Sequence, residues 1–576
     1  MTMSSELPVD RSLTSCPLNI RSLSIIGAAA VVFALPMLVY GPMLQGYDTR
    51  EHLNYSRYFS EQFWAGEWYP RWLIGIHHGL GSPSLFVYPP LPSYVYALLE
   101  PAGKLFGFNS FRLGEFLALF VSGICAFLWL STMTGRRAAT TGAVLYMLMP
   151  YHLAVDYYRR TALAECWALA WIPLVLYFSA RVIRRERASV IGLAVAYALL
   201  ILSNVVSVLI SSFIPLAAAL ALSAKGQKLN SAFRIAAGML LGVGLSCFYF
   251  LPALFHAKYF PVSRLPIWSY RYDYLFSFGT VTNNPNRVVR EIALGFFDLL
   301  AFCAICGAAV LAKGSTDSRK RIAYWLAIGM IPAFLMTSLS APIWRPILFE
   351  AIQFPWRFNI VLCVAALPIF AAFVGEWPRL PRLYKAWSLV LLAAVLTPWL
   401  VEYGAIWRSY RGQTEPARRV VNEGDGWFYA WAPPGMDESR ALQASIGPQV
   451  RFLTGMGTAN VLLWKPRHIE FQTNSSTGGW VMINQFYFPL WRSSASPDRV
   501  LDTKAVMPEG LLELQVPPGP QQIQVEIPIG RPEQIGWWLS LSSALLCVAW
   551  AAVAAFEKSE PPHGAGFAAL GLKMNF

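Results

Sequence analysis

Residues 23–44 read LSIIGAAAVVFALPMLVYGPML, and residues 45–52, QGYDTREH, follow them directly. A helix that crosses a bilayer needs about 20 consecutive apolar residues, a length that the first stretch reaches. This stretch is longer than the core of a secretory signal peptide, about 7–15 residues, and no small-residue cleavage site follows it. We therefore expect an uncleaved membrane anchor after a cytoplasmic tail at residues 1–22.

The rest of the chain has the same apolar character. Hydrophobic residues make up 56% of the 576 residues, charged residues make up 14%, and the mean hydropathy is +0.44. Soluble domains carry roughly 25% charged residues. The composition therefore predicts an all-α polytopic membrane protein with about 12 transmembrane helices. The expected spans are residues 23–44, 112–132, 138–155, 164–181, 188–204, 205–223, 233–256, 294–312, 322–340, 358–375, 386–404 and 536–556.

The basic residues set the expected orientation of these spans. The formal net charge of +14 would suggest a nucleic-acid partner in a soluble protein. Here the basic residues cluster in alternate short loops, at 136–137, 181–187, 225–234, 313–321 and 379–385. By the positive-inside rule, such loops face the cytoplasm. The charge thus predicts the topology of the spans, and we expect no nucleic-acid partner.

Five segments are then expected on the outer face, at 45–111, 156–163, 257–293, 341–357 and 405–534. Residues 91–108 are ambiguous, because they are apolar yet contain two prolines, Glu100 and Lys104. Counting them as a span would move every later basic loop outside, so we expect a juxtamembrane helix on the outer membrane surface. The loop 257–293 combines arginines with Tyr and Trp, and we expect it to act as a lid over a lipid substrate.

The segment 405–534 differs from the rest of the chain. Apolar and polar residues alternate in it, as in QIQVEI at 522–527, and Gly and Pro interrupt these runs, as in PPGP at 517–520. Such patterns are typical of short β-strands joined by turns. We predict a small all-β periplasmic domain, a β-sandwich, inserted before the last transmembrane helix at 535–557. A cytoplasmic tail is expected at 558–576.

The polar stretch after the first span carries the first candidate site residues. Asp48 and His52 are four residues apart and share a face of the helix expected at 49–64. In a structural interpretation, Asp48 only caps this helix. In a functional one, Asp48, assisted by His52, is the general base for an acceptor hydroxyl or holds a divalent metal. Ionisable groups at the edge of a span are costly, which favours the functional interpretation.

The first outer loop continues with aromatic residues and candidate phosphate ligands. Residues 64–72 read WAGEWYPRW. The aromatic residues could form an interface belt or stack on sugar rings, and Arg71 could bind a phosphate in a bidentate manner. His77 and His78 are predicted to contact phosphate or substrate, and a metal is less favoured because adjacent side chains point apart. Tyr88 near the end of the loop is a further candidate substrate contact.

A second cluster of charges lies at residues 156–165, DYYRRTALAE. Arginines on a short outer loop run against the positive-inside trend. They could simply form ion pairs with the two acids, or they could bind the phosphate of a lipid-linked donor opposite Asp48. Acids on two separate loops suit an acid/base transferase or a Mg or Mn site formed by Asp48 and Glu165. The candidates here are Asp156, Arg159, Arg160 and Glu165.

Arg357, at the outer start of another span, either snorkels to the interface or binds an anionic headgroup. The sequence has no Gly-x-Ser-x-Gly elbow, no P-loop and no Gly-x-Gly-x-x-Gly signature. The absence of nucleotide-binding motifs favours a sugar donor carried on a polyprenyl phosphate over a nucleotide sugar.

Taken in order, these motifs resemble the GT-C superfamily of polytopic membrane glycosyltransferases. This superfamily includes the lipid A aminoarabinose transferases, protein O-mannosyltransferases and oligosaccharyltransferases. The chain is most similar to a bacterial group described as 6-pyruvoyl-tetrahydropterin-synthase-related or YfhO-like membrane proteins. The matching pieces are Gly46-Tyr47-Asp48 with His52, Tyr69-Pro70-Arg71-Trp72, 86–91 (FVYPPL), 160–165 (RTALAE), 250–253 (FLPA) and 353–357 (QFPWR).

The resemblance implies a GT-C-like transmembrane module at 23–404. It implies that Asp48 is the catalytic base or a metal ligand, and that Glu165 or Asp156 is the acid of the second outer loop. Several relatives have two adjacent acids in the first loop, where this chain has Asp48-Thr49.

We therefore expect an inverting glycosyltransferase at the outer face of the inner membrane. Its partners would be membrane lipids, a polyprenyl-phosphate-linked sugar donor and a glycan, lipid or protein acceptor. Arg71, Arg159, Arg160 and Arg357 would receive the phosphate charge. The alternatives are a lipid or glycan transporter, or a cell-envelope assembly factor without catalytic activity. Transporters often show inverted repeats and charges near the bilayer midplane, and the sequence has neither pattern.

Overall fold

The structure is a computed structural model that describes residues 17–42, 46, 48–186, 188–260, 274–275, 287–344, 352–411, 431–496 and 499–559. Most of the predicted lid loop at 257–293 and most of both predicted tails lie outside these residues. The described chain is mostly helical, with an antiparallel β domain between the last two long helices.

The helices, in chain order, are α1 (Ile20–Tyr40), α2 (Thr49–Trp64), a single turn α3 (Ile76–Gly79), α4 (Leu91–Phe106), α5 (Ser110–Ser131), α6 (Arg136–Leu148), α7 (Leu163–Ile183), α8 (Ser189–Ser203), α9 (Val205–Ser211), α10 (Phe213–Leu222), α11 (Lys228–His256), α12 (Arg287–Lys313), α13 (Thr316–Leu335), α14 (Asn359–Glu376), α15 (Arg382–Arg411), α16 (Glu438–Ser445) and α17 (Arg531–Ser559). A π-helical segment, Tyr151–Arg160, joins α6 to α7.

Within the described residues, ten helical stretches are long and apolar enough to cross a membrane, two fewer than the sequence predicted. The prediction at 188–204 corresponds to α8, which has only 15 residues. The prediction at 322–340 corresponds to α13, which has 20 residues but carries Arg319, Lys320 and Arg321 near its start. The predicted juxtamembrane segment forms the 16-residue helix α4, which is not among the ten.

The transmembrane helices share one apolar core. Helix α5 packs against α6 and α7, α11 packs against α8 and α17, and α14 packs against α12 and α13. Helix α14 is buried over most of its length, so it lies in the middle of the bundle. Burial of these faces fixes the relative position of the helix ends, where the charged residues lie.

The segment predicted as a short outer loop, 156–163, is helical through Arg160. A π-helix is wider than an α-helix and is often found at functional sites. It ends at Thr161, whose φ of 54° is left-handed. This abrupt end turns the chain into α7 and brings Arg160 and Glu165 close together.

The β domain consists of nine strands in the described residues: β1 (Val450–Phe452), β2 (Gly457–Lys465), β3 (His468–Ser475), β4 (Gly479–Phe486), β5 (Arg492–Ala495), β6 (Arg499–Leu501), β7 (Thr503–Val506), β8 (Leu511–Val516) and β9 (Gly519–Glu526). They form two antiparallel sheets with strand orders β1-β4-β8-β7 and β2-β3-β9-β5-β6. Phe471 and Ile523 from one sheet and Ile483 and Leu512 from the other are buried in one cluster. The alternation of apolar and polar residues thus gives a β-sandwich.

The first outer loop is part of the hydrophobic core of the β domain. Trp72, Leu80 and Phe86 are buried in the same cluster as the sheet residues. The indole of Trp72 donates a hydrogen bond to the Gln485 side chain at 2.7 Å, and the Phe486 amide donates to the Leu80 carbonyl at 2.7 Å. The β domain therefore holds the loop that follows α2.

Candidate active site

The central feature of the site is Arg160, at the end of the π-helical segment. One of its terminal nitrogens lies 2.6 Å from Asp156 and 2.8 Å from Glu165, and the other lies 3.1 Å from Asp48. The three carboxylates come from three places in the chain, the start of α2, the π-helix and the first turn of α7. We call Asp48, Asp156, Arg160 and Glu165 the arginine–carboxylate cluster.

The members of this cluster differ in exposure. The side chains of Asp156 and Glu165 are 0% and 2% exposed, whereas that of Asp48 is 28% exposed. A buried carboxylate needs a charge partner and hydrogen bonds, which Arg160 supplies. Asp48 is therefore the carboxylate of this cluster that a ligand can reach.

Helix α2 begins at Thr49, as predicted, and Asp48 occupies its N-cap position. The Asp48 carboxylate makes no capping hydrogen bond in the described part of the chain and pairs with Arg160 instead. The backbone adds a second link, because the Asp48 amide donates to the Arg160 carbonyl at 3.0 Å. The structural interpretation of Asp48 as a simple helix cap is wrong, because its side chain serves the cluster.

Aromatic residues and a second arginine surround the cluster. The Tyr151 hydroxyl donates to Glu165 at 2.6 Å, and the Arg160 guanidinium lies 5.0 Å from the ring centre of Trp356. Arg357 approaches Glu165 at 3.6 Å and donates to the Gln353 side chain at 2.7 Å. The backbone of Gln353 is left-handed, with a φ of 70°.

His52 and Tyr88 flank Asp48. The ring of His52 is buried and lies 5.8 Å from that of Tyr88. Burial lowers the pKa of His52 to about 4, with a smaller opposing effect of Asp48. Burial, with Asp48 second, raises the pKa of Tyr88 well above its usual value. At neutral pH, both side chains are uncharged groups that can hydrogen-bond.

Arg71 does not join the cluster. Its Nε lies 3.0 Å from Glu533 in α17, its Nη2 donates to the Phe248 carbonyl at 2.7 Å, and its guanidinium covers the Tyr69 ring at 4.0 Å. Arg71 therefore pairs with Glu533 and not with the carboxylates of the cluster, and its grouping with Arg160 around one phosphate stays a prediction. Glu533, far away in the sequence, provides a nearer anion.

His77 and His78 also lie away from the cluster. Both have left-handed backbone angles, with φ of 53° and 57°, and form the turn α3. The His77 ring packs edge-on against Phe486 of β4 at 5.9 Å, and burial lowers its pKa to about 4. His77 thus helps to attach the first loop to the β domain, and the substrate contact expected of His77 and His78 stays a prediction. Arg159 lies beside Arg160, half-buried.

A metal between Asp48 and Glu165 does not fit this arrangement. The Arg160 guanidinium already lies between the two carboxylates, so a divalent cation there would meet an adjacent positive charge. Among the described residues, no group of three His, Cys, Asp or Glu side chains is placed to hold a metal ion.

Three contributors to these sites were missed in the sequence. Tyr151 reads as part of an apolar run, yet its hydroxyl orients Glu165. Glu533 and Arg467 read as ordinary polar residues, yet they pair with each other, and Glu533 also pairs with Arg71. A charged residue at the start of an apolar helix was the only available signal for Glu533.

The fold and the site define a polytopic membrane protein with a buried charge cluster at one end of its bundle. The model of the 6-pyruvoyl-tetrahydropterin synthase related domain, a membrane protein family, matches residues 85–408. The match covers more than half of the chain, and the protein belongs to this family. Comparison with curated protein sequences finds no match.

The chain is also similar to solved membrane glycosyltransferase structures. For arabinofuranosyltransferase AftD from Mycobacteria, the identity is 15% and the TM-score 0.45, covering 69% of this chain and 28% of that one. For ArnT from Cupriavidus metallidurans bound to undecaprenyl phosphate, the identity is 14% and the TM-score 0.41, covering 67% of this chain and 73% of that one. For the Archaeoglobus fulgidus oligosaccharyltransferase in complex with Zn and sulfate, the identity is 14% and the TM-score 0.38, covering 67% of this chain and 53% of that one. The chain spans less than a third of AftD, and likenesses this distant say nothing about activity.

Proposed function

We propose that this protein is a membrane glycosyltransferase that moves a sugar from a polyprenyl-phosphate donor to an acceptor hydroxyl. The observation that carries the proposal is the exposure of Asp48 within an otherwise buried cluster. The alternation of basic loops supports an outer-face location in a bacterial inner membrane. The acceptor is a glycan, lipid or protein that carries a free hydroxyl.

Asp48 is the proposed general base. An ionised carboxylate can take the proton of a hydroxyl held within about 2.6–3.2 Å in the transition state. Arg160 supports this role, because its guanidinium stabilises the charge of Asp48 and its backbone fixes the start of α2. His52 and Tyr88, uncharged at neutral pH, are placed to hydrogen-bond the acceptor beside Asp48.

The chemical step balances without a further reactant. The acceptor oxygen attacks the anomeric carbon of the donor, and its proton passes to Asp48. The bond between that carbon and the phosphate oxygen breaks, and the polyprenyl phosphate leaves with the electron pair. Attack from the face opposite the phosphate inverts the configuration at the anomeric carbon.

The leaving phosphate needs positive charge, because negative charge builds on it in the transition state. Arg357, which lies 3.6 Å from Glu165, and Arg159, the neighbour of Arg160 in the sequence, are the proposed phosphate ligands, and Arg160 adds its charge. Guanidinium groups bind phosphate oxygens in a bidentate manner. Glu165, which the sequence suggested as catalytic, is buried and orients Arg160 and Arg357, so we assign it and Asp156 a positioning role.

The test compares two acids of helix α2 in membranes that contain the full-length protein. The assay follows sugar transfer from polyprenyl-phosphate-linked glucose, galactose, mannose or arabinose to endogenous acceptors. Asp48→Asn should lower transfer by about 10²–10⁴-fold, whereas Glu61→Gln should not, because Glu61 is half-exposed and pairs with Arg57 on the same helix. Transfer by folded Asp48→Asn at the wild-type rate would overturn the proposed mechanism. No transfer from any of these donors by the wild type would overturn the proposed donor class.

A further inference from the structure

A second site lies between the first outer loop, the β domain and the start of α17. It is a cavity of about 380 Å³, within the range of roughly 300–1,000 Å³ that is usual for small-molecule sites. Its wall includes Glu67 and Tyr69 from the first loop, Arg467 from the turn between β2 and β3, and Trp537 from α17. Three separate parts of the chain thus converge on one concave surface.

The charges in this cavity largely neutralise each other. Arg467 binds both oxygens of Glu533, each at 3.1 Å, and Arg71 binds one of them at 3.0 Å. Arg467 also donates to the Ile527 and Pro528 carbonyls, which fixes it in place. A free phosphate would have to compete with Glu533 for both guanidinium groups, so the cavity is poorly suited to an anion.

Two residues of the cavity can still form hydrogen bonds in spite of these ion pairs. Arg71 is 1% exposed, and its Nη1 has no hydrogen-bond partner among the described residues. A buried unsatisfied donor costs free energy that a ligand oxygen could recover. Glu67 accepts one hydrogen bond from Gln62 at 2.8 Å, and burial raises its pKa to about 7, so it can donate or accept.

Aromatic surface completes the site. Trp537 packs one side against Phe248, with ring centres 5.1 Å apart, yet remains 52% exposed. Large, rigid aromatic rings offer apolar contact area beside polar groups at low entropic cost. The flat ring of Trp537 can contact the C–H face of a ligand, while Arg71 and Glu67 beside it can still hydrogen-bond hydroxyl groups. Together they suit a ligand with an apolar C–H face and many hydroxyls.

We propose that this cavity binds a neutral saccharide, with its hydroxyls on Arg71 and Glu67 and a sugar face on Trp537. The site goes beyond the proposed transfer, because it shares no residue with the arginine–carboxylate cluster. Its occupant can be a monosaccharide or the terminal sugars of a longer glycan.

The experiment measures binding in the absence of transfer. Full-length protein is placed in lipid nanodiscs, because detergents with sugar headgroups would compete. Saturation-transfer difference NMR is recorded with the methyl glycosides of glucose, galactose, mannose, N-acetylglucosamine and arabinofuranose at millimolar concentration. The same spectra are recorded on Asp48→Asn, which alters the arginine–carboxylate cluster and no residue of the cavity, so that binding of a glycoside at the cluster is told apart from binding in the cavity.

Two neighbouring tryptophans provide the matched variants. Trp537→Leu should weaken binding of the responding glycoside by at least about fivefold, from the loss of aromatic contact. Trp538→Leu should change it by less than about twofold, because Trp538 is 69% exposed and does not line the cavity. If Trp537→Leu fails to fold, Ile529→Trp replaces it, since Ile529 lines the cavity and a larger side chain there should block the ligand.

Three results would overturn the inference. The first is the absence of saturation transfer to all five glycosides. The second is equal binding by the wild type and the cavity variants, and the third is displacement of the glycoside by inorganic phosphate. The last result would identify an anion site instead.

Discussion

Arg160→Met tests the cluster itself, because one residue neutralises three carboxylates. Removing it leaves Asp156 and Glu165 buried without their main partner. Breaking a buried ion pair by removing one partner costs about 3–5 kcal/mol. The pair with the more exposed Asp48 adds at most about 1 kcal/mol. Since the pairs share one guanidinium and do not add independently, we expect a total loss of roughly 3–6 kcal/mol.

This loss converts to a temperature shift through the unfolding entropy. For the roughly 380 residues of the helical module, an entropy of about 2.1 cal/mol/K per residue gives about 0.8 kcal/mol/K, so the melting temperature should fall by about 4–8 °C. A thiol-reactive dye can follow melting, because seven cysteines are buried and free among the described residues. The loss should shrink at acidic pH, where the orphaned carboxylates become protonated.

The matched control is Arg57→Met, which breaks the exposed pair of Arg57 and Glu61 at 2.9 Å. Exposed pairs of this spacing are worth about 0.3–0.5 kcal/mol, so the control should melt within about 1 °C of the wild type. If Arg160→Met also melts within about 1 °C of the wild type at neutral pH, the cluster does not hold the helix ends together and the reasoning is refuted.

Three further predictions concern pH, docking and metal. The pKa of His52 falls from its ordinary 6.5 to about 4 on folding, so the unfolded state binds more protons between these values and stability should fall as the pH drops through this window. In melting curves, His52→Gln should reduce this dependence of stability on pH. An unchanged dependence would contradict the assignment. Gln485→Leu removes the hydrogen bonds to the Trp72 indole, 2.7 Å, and to the Gly79 carbonyl, 2.5 Å, and should lower the free energy of unfolding by about 1–3 kcal/mol. Limited proteolysis should then cut faster where the first loop contacts the β domain. Cleavage at the wild-type rate would argue against docking of the loop on this domain. EDTA should leave transfer unchanged, because Arg160 occupies the place between the acids, and a loss restored by Mg²⁺ or Mn²⁺ would show that a metal is needed.

Much of the arrangement around Asp48 could be predicted from the sequence. Helix α2 begins at Thr49 as expected, and Asp156, Arg160 and Glu165 meet Asp48 as the charge pattern suggested. The reason is physical, since charges at the edge of an apolar bundle are costly and must find each other. The pattern left open whether the acids pair with arginines or hold a metal, and the structure has them paired.

Contacts between distant parts of the chain could not be predicted. The pairing of Arg71 with Glu533 has no local signal, because Glu533 lies beyond the β domain in the sequence. The docking of Trp72 and Leu80 into the sandwich core also depends on tertiary packing that no local period encodes. The sequence predicts a span over 138–155 and a loop over 156–163, so only the second half of the π-helix, 156–160, differs from the prediction, because the charges of Arg159 and Arg160 hide a helical pattern.

The most direct test of the account separates donor binding from chemistry in purified Asp48→Asn. The variant and the wild type are loaded with the polyprenyl-phosphate sugar that supports transfer, and binding and single-turnover transfer are measured on the same samples. If Asp48 is the general base, donor binding should stay within about threefold of the wild type while the transfer rate falls by about 10²–10⁴-fold. Equal single-turnover rates with equal donor binding would contradict the account.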